Sequence, residues 1–514
     1  MSNPLQTLLD ANGINADADD VAGGLLDRTN DAIERLGVVP EPLPPGAESI
    51  ETWNDLDGIR DDSDGDYVLV ANLNEATEGY DEIVDPEGNG FEPIENFGGE
   101  FNGRDNEIAD LVLNIDESGE SFGVFGSTTS DAEIRDLTLA DVTTTGDEPN
   151  AGFVGALAGT NDGDVINAAV TGSVTAQDSV PVGGLVGNNV GTISDSNADV
   201  TVESGNQSEI GGLVAVNDGT IENSHAEGDV EVFGAGVNPT VAGGLVGLNN
   251  AEATVDDSSA AATVTGGDAP GGNDPISVGG LVGINEGSIT DADAAGSVNG
   301  GETQLNVGGL VGLNTGSSAT VERSFAMGDV EADDVNIGGL VGNNIDGGTI
   351  TESFATGDAT GGDDAAVGGL TGVNQDGGAA IEKSYAMGAV EAGDGTSPSA
   401  GGLVGDNFAD VTESYATGSV VVGEGFAATA GGLVGNQSDG SLTGSYWDKQ
   451  TTGQDDGADA GFDIGGDVDI EGLETDEMQD SSAQETMNAF DFGDTWDTVE
   501  NDYPVLQSID ESAQ

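Results

Sequence analysis

The chain has no cysteine, a single histidine and only eight lysines and arginines in 514 residues. Without cysteine there is no disulfide framework and no thiolate metal site, and the redox compartment stays open. With one imidazole, at His225, a His-Glu-x-x-His zinc site is impossible, and a Ser-His-acid nucleophile would have to use that ring, which sits at a repeat position. The eight cations face 97 acids, for a formal net charge of −89. So acidic a surface repels DNA, RNA and anionic lipid, which excludes nucleic acid as a partner. No apolar run approaches the roughly 18 residues of a membrane span, so no membrane insertion is expected. Residues 1–30 show no basic n-region, apolar h-region or twin arginine, and residues 509–514 offer no anchor, so no export or anchoring signal is expected. Aromatics are 4% of the chain, which together with high charge is the usual mark of disorder. A regular apolar repeat argues against disorder over residues 100–447.

That repeat is clearest over residues 335–390. Gly338-Gly339-Leu340-Val341-Gly342-Asn343-Asn344 leads to Gly348-Thr349-Ile350-Thr351-Glu352-Ser353-Phe354-Ala355-Thr356-Gly357, and the pattern restarts at Gly368. Gly-Gly-Leu begins at Gly183, Gly211, Gly243, Gly279, Gly308, Gly338, Gly368, Gly401 and Gly431, with weaker copies at Ala156 and Gly123. A fixed period of about 30 residues signals a stacked array, because one unit cannot bury its apolar face alone. Short Val/Leu/Ile runs, abundant Gly and little helix signal predict strands joined by corners. The expected fold is all-β: a right-handed parallel β-helix (β-solenoid) of about eleven coils, about 50 Å long, with a short N-terminal helical segment and a C-terminal cap. Nine residues separate Ile221 from Val230, Val321 from Val330 and Val411 from Val420. Length varies instead after the Asn and before the next Gly-Gly, most of all over residues 265–278. Constant strands with variable loops are the mark of a solenoid core.

Gly-Leu-Val-Gly-x-Asn followed by Gly-x-Ile-x-x-Ser-Tyr/Phe-Ala-x-Gly-x-Val resembles the GLUG repeat of large surface proteins, adhesins and some immunoglobulin-A-cleaving metallopeptidases. The resemblance covers roughly residues 120–447. It implies a β-solenoid stalk and carries no implication of peptidase activity. The even spread of Asp resembles proteins of extreme halophiles, an archaeon or its virus; at molar salt the Debye length shrinks to about 3 Å.

The expected organisation has four parts. Residues 1–46 form an attachment segment: a helix over 15–37 with Val21, Leu25, Leu26, Ala32, Ile33 and Leu36 on one stripe, ended by Gly37, then a stiff linker with Pro40, Pro42, Pro44 and Pro45. Residues 47–120 are an N-terminal cap and first coils, opened by a helix over 50–62 with Trp53, Leu56 and Ile59. Residues 121–447 are the repeat solenoid. Residues 448–514 are a C-terminal cap, with a Gly/Asp-rich loop over 453–469 and a helix-compatible stretch over 475–490.

Stacked repeats make ladders. Asn161, Asn189, Asn217, Asn249, Asn285, Asn314, Asn344, Asn374 and Asn407 recur four residues after Leu, with Gln437 at the end, and read as a structural amide ladder. Phe325, Phe354, Tyr385, Tyr415 and Tyr446 form a second row, with Arg323 and Lys383 close by. If the small residues beside them face inward, this row faces outward. It then contacts a glycan or a partner chain, or packs on a loop, the cap or a sister subunit. The Gly pairs fit corners or close packing and lack the spacing of a phosphate loop. No catalytic residue and no metal site is expected. Asp363-Asp364 and Asp455-Asp456 suit hydrated counterions, without a spaced ligand set for Ca²⁺ or Mg²⁺, and no cofactor is expected.

The function this predicts is a non-enzymatic structural and adhesive fibre. As a virion tail fibre or spike, extracellular after release, it attaches to a glycan or glycoprotein of a haloarchaeal cell surface. Residues 1–46 bind other virion or surface structural proteins, and the fibre is a homo-oligomer. The alternatives are a cell-surface or secreted adhesin and a polysaccharide-degrading tailspike.

Overall fold

The computed structural model describes residues 42–84, 90–115, 120–145, 151–205, 208–232, 240–267, 276–301, 306–333, 336–375, 377–460 and 468–509. The chain divides into two units, residues 1–49 and 50–514. In the first, the Ala47 N–H closes a turn onto the Pro44 carbonyl at 3.1 Å. The helix expected over 15–37 lies outside the described residues, as does the centre of the longest variable loop.

The second unit is a parallel β-solenoid of about twelve turns, with five short α-helices among the described residues. One coil shows the plan. Strand Asn336–Gly338 bends at Gly339 and Leu340 into strand Val341–Ile345, and a turn leads to Thr349–Thr351. Glu352 takes the corner, followed by Phe354–Ala355 and Ala359–Gly361. The next coil lies in register: Gly338 opposite Gly368, Asn344 opposite Asn374, Ile350 opposite Ile381, Phe354 opposite Tyr385 and Ala359 opposite Val390. Leu340, Val341, Ile350 and Ala355 are fully buried between the sheets, so identical small and branched residues fill each layer.

The Gly pairs answer to packing. A Cβ on Gly308 would meet the Val311 carbonyl oxygen at 2.0 Å, and one on Gly309 the Gly339 oxygen at 2.0 Å. Backbone approaches backbone within and between coils, and no side chain fits there.

Aromatics close both ends. Thr52 and Asp55 form a capping box on helix Trp53–Gly58, whose Trp53 and Leu56 are buried together with Ile59. They join Phe91, Phe97 and Phe101 in the first layers of the core. At the other end Trp447 takes the position of Ala416 in the preceding coil. Its ring lies over Gly432, Gly457 and Gly472, where a Cβ would come within 2.0, 2.4 and 2.4 Å of it.

The stack continues past Trp447. Strand Ala458–Ala460 pairs with Val434–Gln437, and Val468–Leu473 pairs with Leu442–Asp448. About twelve turns agree with the expected eleven or so coils, whereas the loop expected over 453–469 is corrected, since it contains strand Ala458–Ala460 and the start of Val468–Leu473. The additional turn lacks the Gly-Gly-Leu signature because no regular coil follows it, so its backbone needs no further close approach. Residues 475–509 then fold back as short helices and an antiparallel pair, Trp496–Asp497 with Val505–Leu506.

Candidate functional site

Alternation on a strand decides where the aromatic row points. Ser324 and Ala326 are buried inside the coil, so Phe325 between them projects from the opposite face. Parallel in-register pairing then stacks the rings. Phe325, Phe354, Tyr385 and Tyr415 follow one another at centroid distances of 4.9, 4.8 and 4.9 Å, within 5° of parallel.

The row is covered. Phe354, Tyr385, Tyr415 and Tyr446 are at most 5% exposed, and they form one cluster with Leu473, Met478, Met487, Phe490, Trp496 and Leu506. Phe325 alone is half-buried. Of the two readings left open for this row, contact with a glycan or partner is corrected for four of its five rings, which pack on the chain's own C-terminal cap. The physical reason is the large apolar area of four stacked rings and Tyr446, which the aromatics of residues 490–506 help remove from water.

Polar contacts fix this cover. The Tyr415 hydroxyl donates to the Pro504 carbonyl at 2.6 Å, the Ala489 N–H donates to the Tyr446 oxygen at 3.1 Å, and the Tyr503 hydroxyl donates to buried Asp448 at 2.6 Å. Burial pushes the Tyr385 and Tyr415 phenols up, and the Asp502 charge adds to this. Burial and the Asp448 carboxylate push Tyr503 up to about 12. The Trp496 indole N–H is buried without a hydrogen-bond partner among the described residues. A cavity of about 340 Å³ remains between Tyr385, Met387 and Tyr415 on one side and residues 498–505 on the other.

Arg323 and Lys383 occupy the left-handed corners, with φ of 48° and 49°. The same corner in neighbouring coils holds Asp291, Glu352 and Glu413, so the column reads acid, cation, acid, cation, acid. Arg323 grips Asp291 with both arms, at 2.8 and 2.7 Å, and also pairs with Glu322. The Asp291 hydrogen bonds push its guanidinium further up, so it stays charged. The geometry gives Arg323 the part of charge compensation within a column of acids, and Lys383 takes the same corner between Glu352 and Glu413.

The amide ladder is continuous. Each Nδ2 donates to the next coil's Oδ1 from Asn161 through Asn189, Asn217, Asn249, Asn285, Asn314, Asn344, Asn374 and Asn407, at 2.8–2.9 Å. Gln437 receives the last bond at 2.9 Å, and the Thr128 hydroxyl donates into the first amide at 3.0 Å. All ten amides are fully buried.

A serine ladder is a second buried row, which the sequence reading missed. The backbone N–H of Ser196, Ser224, Ser324, Ser353, Ser384 and Ser414 each donates to the next coil's Oγ. Each such Oγ donates to the carbonyl two residues before it, as Ser353 does to Thr351 at 2.8 Å. The signal was present as the Ser before every Tyr/Phe-Ala, but spacing alone does not show that the hydroxyl replaces a carbonyl acceptor at the corner.

His225 stands in the same row as the rings. Its Nδ1 lies 2.7 Å from the Ser259 hydroxyl and its Nε2 lies 3.2 Å from Glu227. A serine nucleophile also needs donors for an oxyanion. The Ser259 and Ala261 N–H groups are held by the Ser224 and Ala226 carbonyls, and Asp293 follows Ser259 in register. The Asp293 carboxyl is thus the neighbour of Ser259 in the next coil. Among the described residues no group of three or more His, Asp or Glu is arranged to hold a metal ion. Among them, too, no helix is long and apolar enough to cross a membrane.

The repeat matches the GLUG motif. Residues 206–231, 274–299 and 333–360 fit it, and in the structure 333–360 runs from the Gly-Gly face through the Ser corner. The chain is also similar to halomucin of Haloquadratum walsbyi, 34% identical over 140 residues. That match takes in 26% of this chain and 1% of halomucin's own length.

Proposed function

We propose that this chain is a non-enzymatic, rod-forming adhesive module displayed at the surface of a halophilic cell or virion. The observation that carries the reading is the continuous buried amide ladder from Asn161 to Gln437. A solenoid whose ladder of buried amides bonds along its axis suits a spacer, with variable loops for contact along its flanks. The similarity to halomucin, a protein of a halophilic archaeon, supports a salt-loving, surface-exposed setting. The net charge of −89 fits molar salt, where a Debye length of about 3 Å is shorter than the roughly 4.8 Å between coils. Stacked like charges such as Glu203 opposite Glu231 are then screened.

Within this reading the protein is a tail fibre or spike that binds a glycan or glycoprotein of a haloarchaeal cell. Residues 1–46 dock it on other structural proteins, and the flank loops meet the host. The test is retention of the labelled full chain by haloarchaeal cells in molar salt, with and without mild periodate oxidation of their surface glycans. Saturable retention that oxidation abolishes supports the reading; no retention on any haloarchaeal surface overturns it. Gold-labelled antibody against the chain, applied to virions and to uninfected cells, separates the viral reading from a cellular adhesin.

A further inference from the structure

Among the described residues a pocket of about 340 Å³ lies under the C-terminal segment, and Glu500 and Asp502 in its lining are exposed to solvent. Its apolar floor is Met387 with the edges of Tyr385 and Tyr415, and Val499 and Val505 close the sides. Glu500 and Asp502 are its charged groups, and no Lys, Arg or His lines it. Tyr385 stacks on Phe354 at 4.8 Å and on Tyr415 at 4.9 Å, and the Tyr503 ring lies 6.3 Å from Tyr415. The Tyr415 hydroxyl hydrogen goes to Pro504 and that of Tyr503 to Asp448. Asp502 accepts the Tyr503 N–H at 2.9 Å on one oxygen, and its charge is felt by both stripe tyrosines.

We propose that this cavity binds a small organic cation, an ammonium or methylated ammonium on an aliphatic body. Its charged groups are acceptors with two negative charges between them, so an anion is repelled. A sugar needs donors for its hydroxyl oxygens as well as acceptors, and two of the phenols here are already committed. Inorganic cations prefer a near-complete shell of oxygens, which two carboxylates over thioether and valine do not supply. A ligand with a weakly hydrated charge and a carbon surface satisfies both halves of the lining: its charge meets Glu500 and Asp502, and its carbons meet Met387, Val499 and Val505. At molar salt long-range attraction is screened, so this contact complementarity decides binding. The proposal stands apart from adhesion, since it depends on the cover over the stripe and on no flank loop.

The test uses the full chain in molar potassium chloride, with choline as the probe, followed by calorimetry and by Trp496 fluorescence. Trp496 lies 6.1 and 5.7 Å from Tyr385 and Tyr415, so occupancy of the cavity changes its surroundings. Choline is expected to bind saturably, and its neutral isostere, with carbon in place of nitrogen, about tenfold more weakly or worse. The double variant Glu500→Gln/Asp502→Asn is expected to lose about tenfold in choline affinity with an unchanged circular dichroism spectrum. Val499→Arg, which sets a guanidinium in the cavity, is expected to abolish binding. No saturable binding, equal affinity for the isostere, or unchanged affinity in the double variant overturns the proposal.

Discussion

The Tyr415 hydroxyl reaches the Pro504 carbonyl at 2.6 Å across 89 residues of sequence. This bond ties the stacked stripe to the segment that covers it. Tyr415→Phe keeps the ring and leaves a buried carbonyl without its donor, at a cost of about 1–3 kcal/mol. Hydrogen exchange is expected to quicken over residues 475–509 and to stay slow in the coils around Ile350 and Ile381. Uniform loosening of both regions would mean that cover and stack unfold as one unit.

Asn285 receives a bond from Asn249 and gives one to Asn314, both at 2.8 Å. Asn285→Ala breaks the ladder in its middle and orphans a donor on one side and an acceptor on the other. The expected loss is about 2–5 kcal/mol in denaturant unfolding at constant salt. Gln437→Ala, at the end of the row, removes one ladder bond, from Asn407, along with the Nε2 bonds to the Asp439 and Gly440 carbonyls, and is expected to cost less than the loss of two ladder bonds at Asn285. Equal costs would show that the bonds do not act as a chain.

The serine row has a gap. Ala292 stands where Ser224 and Ser324 stand in other coils, so the Ser258 N–H lacks the Oγ acceptor its counterparts have. Ala292→Ser is expected to stabilise the protein by about 1 kcal/mol, since it completes a buried bond in a site already shaped for it. A lower unfolding midpoint would show that the hydroxyl does not fit there.

Glu413 is held at φ 48°. For a residue with a full side chain that conformation costs about 1–2 kcal/mol, and Asn bears it best after Gly. Glu413→Asn is expected to raise the unfolding midpoint, and Glu413→Val to lower stability by about 1–2 kcal/mol. The two substitutions remove the same charge, so their difference excludes the loss of the carboxylate as its cause.

Burial pushes the Asp406 carboxyl up, and bonds from Ser399 at 2.6 Å and Asn436 at 3.3 Å pull it part of the way back. Glu209 is also pushed up by burial. A carboxyl that holds its proton more tightly when folded contributes stability that is complete below the unfolded carboxylate range of about 4. That stability is lost as pH rises through the raised value. The thermal midpoint is therefore expected to rise on mild acidification from neutral pH. Asp406→Asn should raise the neutral midpoint and flatten this rise; an unchanged slope would show that Asp406 titrates alike in both states.

Much of the fold was legible in the chain itself. The Gly-Gly-Leu period names the coils because backbone packing between neighbours allows nothing larger than Gly at those positions. The Asn four residues after Leu names the amide ladder, because a repeat stacked on itself must place like on like. The surplus of acid over base bounds the setting before any coordinate is known. Three things needed the tertiary structure. The strand alternation left open whether the face bearing Tyr385 and Tyr415 meets solvent or the chain's own residues 475–509, because that cover comes from a segment with no repeat to align it. The corner column that holds Arg323 and Lys383 joins residues about thirty positions apart, and only register sets Asp291 beside Arg323. The last turn, with Ala458–Ala460, carries no motif, because a coil with no regular successor is free of the packing that writes the motif into the others.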